Sequence, residues 1–157
     1  MSKQKSFAPA CALCLGALMV FLSLNPARAE LSGKDWNALQ QEVQAAFKEG
    51  AADRGWPSLE RLFPSIAEDD SIRAVELISK LVKSCNYDGG IQREAKSALG
   101  NMHADPAVNA MVKEAKRGAE WKLQILYLDV LVDQRHASCH EILMDLIGSR
   151  KDAVAMA

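Results

Sequence analysis

Apolar residues recur at three- and four-residue intervals along most of this chain, with polar residues between them. In "GIQREAKSALGNM", residues 90–102, Ile91, Ala95, Ala98, Leu99 and Met102 fall on one helical face. In "DPAVNAMVKEAKRG", residues 105–118, Val108, Met111, Val112 and Ala115 do the same. Between the two, Gly100 and Asn101 weaken the end of the first helix. Asp105 is placed to cap the second, and Pro106 fits its first turn, where a missing N–H costs nothing.

This unit recurs. Moved back 33 positions, Leu99 falls on Ile66, Ala107 on Ala74, Val108 on Val75 and Met111 on Ile78. Moved forward 32 positions, Ile91 meets Leu123, Ala98 meets Val130, Leu99 meets Leu131 and Met111 meets Leu143. A period of this size marks a helical array. The pattern predicts a leading helix over 34–49, then helix pairs over 57–68 with 70–84, 90–102 with 105–118, and 119–133 with 136–148. No segment reads as a strand. Pro57 opens the first pair, and Pro64 should kink or break its first helix.

The stretch "EAKSALGNMHADPAVNAMVKEA" resembles a HEAT-type repeat of the short, bilin-lyase-like kind. In that family an Ala-Leu-Gly end to one helix precedes an Asp-Pro-x-Ala-Val start to the next. The likeness is strongest over 90–118. It is looser over 57–84, where Asp70 and Ser71 stand near the Asp-Pro position, and over 119–148, where Asp-Pro is missing. The resemblance implies an all-α fold: a short right-handed α-solenoid of about three helix pairs behind a leading helix. It also implies a role in binding other proteins, and no cofactor.

Charge and the first residues change the picture further. Lys3 and Lys5 precede an apolar run from Phe7 to Leu24, followed by Pro26 and Ala27-Arg28-Ala29. This reads as a signal peptide over 1–29, with a single helical domain over 30–157, a periplasmic location, and no membrane anchor once the signal is removed. Loss of Lys3, Lys5 and Arg28 shifts the net charge from −1 to −4. A chain of that sign is not built for nucleic acid. Residues 30–70 carry 9 acidic and 4 basic side chains, which reads first as a solvated face and otherwise as a surface for a basic partner.

Candidate chemistry is sparse. His103 and Asp105 lie close together, but in a connection that recurs without them. His136, Cys139 and His140 sit at i, i+3 and i+4, a spacing that would place three metal-binding side chains on one helix face. Glu141 follows the second histidine, so this is not the zinc-peptidase pattern. These residues read as ordinary helix positions, with metal ligation as the alternative. Cys85 and Cys139 fall at opposite ends of helices two pairs apart, so no disulfide is expected between them.

Two features point to a partner. "SCNYDGGIQ" is the longest connection in the repeat region, and Asn86, Tyr87 and Asp88 are its candidate contact residues. The helix over 119–133 is apolar on two sides. Leu123, Tyr127, Val130 and Leu131 face the core, while Trp121, Ile125, Leu128 and Val132 form a second stripe. That stripe predicts a homodimer or heteromer through Trp121, Ile125 and Leu128.

A non-enzymatic binding protein is the expectation. In build and compartment the chain resembles periplasmic immunity proteins of type VI secreted amidase toxins. That likeness implies steric inhibition of a cell-wall amidase, with the loop at Asn86, Tyr87 and Asp88 entering its cleft. The alternatives are a general envelope scaffold or assembly factor, and a metal-binding protein using His136, Cys139 and His140.

Overall fold

The helix punctuation written in the sequence reappears in the computed structural model, which describes residues 30–53, 55–117 and 120–155. The signal-peptide reading over 1–29 lies outside the described residues. Among the described residues eight helices follow one another: α1 (Gly33–Asp53), α2 (Pro57–Glu60), α3 (Phe63–Ala67), α4 (Ile72–Ser84), α5 (Gly89–Gly100), α6 (Asp105–Arg117), α7 (Trp121–Asp133) and α8 (Ser138–Ala155). The described regular structure is all helical.

Pro64 does what its chemistry requires. In a continuous helix over 57–68 its missing N–H would leave the Glu60 carbonyl without a partner, and its ring would press on that carbonyl. The chain turns at Arg61 and Leu62 instead, and restarts as α3 with Pro64 in the first turn. Pro57 opens α2 in the same way.

The helices pack in two rows. α3, α5 and α7 touch in succession along one row, and α4, α6 and α8 along the other, with α3–α4, α4–α5, α6–α7 and α7–α8 contacts between rows. α1 lies against α2. It buries Trp36, Leu39, Val43 and Ala46, and one apolar core runs from Trp36 to Ile142. Where α1 ends, the Phe47 and Trp56 rings stack at 5.2 Å. Gly50 makes that turn possible, because a Cβ there would stand 2.5 Å from both the Gly55 carbonyl oxygen and the Trp56 ring.

The connections within successive pairs are tied to one another by side chains. Asp70 Oδ2 accepts from the backbone N–H of His103 at 3.2 Å and of Ala104 at 3.0 Å. Its Oδ1 is buried without a partner among the described residues. From the other side, Gln134 Nε2 donates to the Met102 carbonyl at 2.8 Å and lies 3.2 Å from the Gly100 carbonyl oxygen. The orphan groups that end α5 and precede α6 are thus met by the preceding and following pairs. The first corner is tied to the start of the described chain. Asp69 accepts from the Leu31 N–H at 2.7 Å, and Arg73 Nη2 donates to the Leu31 carbonyl at 2.7 Å.

Three expectations need correction. α6 begins at Asp105 itself, and the carboxylate that meets the N–H groups just before it is Asp70 rather than Asp105. Leu143, matched to buried Met111 by the 32-residue shift, is 42% exposed, while Ile142 is 1% exposed. The last helix is therefore rotated by about one residue relative to the repeat. Leu128, placed in the outward stripe of α7, is only 9% exposed, so a face reckoned from one helix alone mistakes its neighbours.

Candidate functional site

α4 and α6 run side by side and leave a groove of about 690 Å³ between them. Its floor is set by α7, which contributes Leu123 and Tyr127 from below. Val75 and Ala110 add apolar wall, and Lys80, Lys83 and Lys113 stand along the rim with Glu76 and Glu114. The floor is locked by a hydrogen bond between Tyr127 and Ser79. Ser79 Oγ also donates to the Val75 carbonyl at 2.6 Å, so the proton shared with Tyr127 comes from the tyrosine. Burial raises the Tyr127 pKa. This hydroxyl stays protonated and structural.

Lys83 also lines a second depression of about 440 Å³, together with Tyr87, Glu120, Trp121 and Lys122. Here the structure joins two features that are separate in the sequence, the Asn86–Asp88 connection and the start of α7. The Tyr87 hydroxyl donates to Glu120, and Lys83 Nζ lies 3.2 Å from Glu120 Oε1. The Lys122 ammonium stands 4.6 Å from the centre of the Tyr87 ring. Burial, helped by the Glu120 hydrogen bond and charge, pushes the tyrosine up to about 12. The Tyr87 hydrogen bond, followed by Lys83, holds the Glu120 carboxyl below its ordinary value.

This connection is a fixed corner rather than a projecting loop. Asn86 and Tyr87 both take positive φ, 52° and 59°. The Tyr87 carbonyl accepts from Gln92 Nε2 at 2.5 Å. Asp88 is the N-cap of α5, accepting from Gly90 N–H at 2.9 Å and Ile91 N–H at 3.2 Å. The Asn86 side chain is exposed, while its backbone N–H donates to the Lys83 carbonyl at 2.9 Å. Trp121 is 66% exposed, and Ile125 is exposed further along α7.

The remaining candidates do not converge. α8 starts at Ser138, so His136 precedes the helix, and its Nδ1 accepts from the Ser138 N–H at 3.2 Å. His136, Cys139 and His140 therefore do not share a helix face, which corrects the spacing argument. Among the described residues, no group of three or more His, Cys, Asp or Glu is placed to hold a metal ion. Cys85 and Cys139 are free thiols. Burial, with the Asp88 charge adding to it, pushes Cys85 up to about 11, and burial also raises Cys139. Neither is a thiolate at neutral pH. His103 and Asp105 are exposed, and the contact made at His103 is through its backbone N–H.

What sequence reasoning missed is the groove and the corner ties. The groove residues come from three helices, and although they recur at three- and four-residue intervals on each, that spacing does not say which faces adjoin. The ties did leave a trace: Asp70 and Gln134 lie 33 and 32 residues from His103 and Met102, one repeat period in each case. Comparison of the chain with family models, with curated proteins and with solved structures finds no match. The functional reading is built from these residues alone.

Proposed function

We propose that this chain is a protein-binding repeat module, and that it acts in the periplasm as an immunity-type inhibitor of a secreted cell-wall amidase. The observation that carries the reading is the groove between α4 and α6, with its apolar floor and charged rim. Such a surface has the make-up of a partner site: large side chains that bury area, ringed by charges that set register. Its hydroxyls at Ser79 and Tyr127 are bonded to each other, which suits a scaffold better than a reacting centre. The Asn86–Asp88 corner braces the neighbouring depression at Tyr87 and Glu120 instead of entering a cleft, so the contact falls to the groove.

The test is a pull-down from periplasm with the tagged chain, coupled to protection of cells that express a candidate amidase in that compartment. Capture of a hydrolase, with protection lost in Ala110→Arg and in Lys80→Glu with Lys113→Glu, is the expected result. Those side chains lie at the surface of the groove, so circular dichroism should show the fold intact. Failure to capture any hydrolase and failure to protect would refute the amidase reading. A captured protein of another class would leave a binding module and remove the immunity role.

A further inference from the structure

We propose that the end of the stack is a self-association surface, on which α7 pairs antiparallel with α7 of a second copy of this chain. Trp121, Ile125 and Val132 are exposed along one side of α7, and Leu143, Met144 and Ile147 are exposed on α8, which packs against it. One repeat earlier, at the positions of Trp121, Ile125, Leu128 and Val132, α5 carries Gly89, Arg93, Lys96 and Gly100. The apolar face is thus peculiar to the last pair, where a terminal repeat would ordinarily be polar.

Size and charge both favour a second copy as the occupant. The exposed parts of these six side chains amount to roughly 600 Å², so a two-fold pair would bury about 1,200 Å², the lower end of the range for stable interfaces. On the flank beside the stripe, Lys122 stands near the start of α7 and Asp129 and Asp133 near its end. Both carboxylates share the single ammonium of Lys96, at 3.5 and 3.1 Å, so these three groups together carry one negative charge. Lys122 faces the Tyr87 and Trp121 rings rather than a carboxylate. Antiparallel pairing puts like flanks together in opposite directions. Lys122 of each copy then meets the acidic end of the other, and Trp121 meets Val132. Parallel pairing would carry each Lys122 to the opposite flank of the other copy, away from both acidic ends. An isologous contact of this kind counts every interaction twice.

Light scattering on the whole purified chain tests the proposal. Twice the monomer mass is expected at about 100 µM, with dissociation favoured as salt screens the charged flanks. Ile125→Asp with Val132→Asp should give monomer; both side chains are exposed, whereas Leu128 is unsuitable because its replacement would injure the protomer. Lys122→Glu should weaken the pair about tenfold, and adding Asp133→Lys should restore it. This second series stays informative if the aspartate pair unfolds the chain. A monomer at that concentration overturns the proposal, as does a dimer indifferent to both series or an assembly only with a different protein. Lys80→Glu with Lys113→Glu should leave the mass unchanged, which separates this surface from the groove.

Discussion

Asp70 takes φ 42°, in the left-handed region where aspartate is better tolerated than most residues. From there its buried carboxylate reaches two N–H groups of the next pair. Asp70→Ala would leave both donors without their acceptor, and urea denaturation should show a loss of about 1–3 kcal/mol. Gln134→Ala, which frees carbonyls that water can reach more easily, should cost about 1 kcal/mol. The neighbouring Asp69 supplies a pH dependence. Burial pushes its pKa up, but hydrogen bonds from Arg73, Ser71 and the Leu31 N–H outweigh that and hold it below the ordinary 3.8. The folded state therefore binds this proton less readily than the unfolded chain does. Its contribution to stability is complete above that ordinary value and is lost as pH falls through the lower folded one. Thermal melts between about pH 5 and pH 2 should show this limb, and it should flatten in Asp69→Asn. None of these roles is visible one residue at a time, since each carboxylate is defined by what the next repeat brings to it.

At the scale of the element, the breaks between helices were legible, while the end of α1, both ends of α8 and the rotation of the helices were not. The α5 and α6 boundaries follow from Gly100, Asn101, Asp105 and Pro106, and the break within residues 57–68 follows from Pro64. These are local effects of backbone chemistry and survive any tertiary arrangement. Which face of α8 turns inward depends on how α6 and α7 receive it. The repeat register selects Leu143, and the structure selects Ile142. Ile142→Ala should therefore cost about 2–4 kcal/mol by chemical denaturation, and Leu143→Ala should stay within about 0.5 kcal/mol. Equal losses at the two positions would mean that α8 sits differently. The same reasoning explains Leu128. The narrow polar flank of Lys122, Asp129 and Asp133 leaves α7 apolar on both of its other sides, so only its neighbours distinguish Leu128 from Trp121 and Ile125.

Across the whole molecule, stability should follow position in the stack. α5 and α6 have neighbours before and after them, and their connection is bonded from both directions by Asp70 and Gln134. Among the described residues, α1 and α8 have such neighbours on one side only. In an array whose units touch mainly their neighbours, the ends open first. Hydrogen exchange followed by mass spectrometry should find the amides of α5 and α6 among the last to exchange and those of α1 and α8 among the first. Uniform protection along the chain would argue against that order. By itself the sequence determined the all-helical class, the period, the breaks between helices and most of the buried face, because these depend on spacing and on backbone chemistry within a few residues. Only the tertiary structure decided the groove between α4 and α6, the meeting of Tyr87 with Glu120 and Trp121, and the outward faces of α7 and α8. Those features join residues a repeat or more apart, and a one-dimensional pattern carries no information on how far each helix turns when its neighbours close around it.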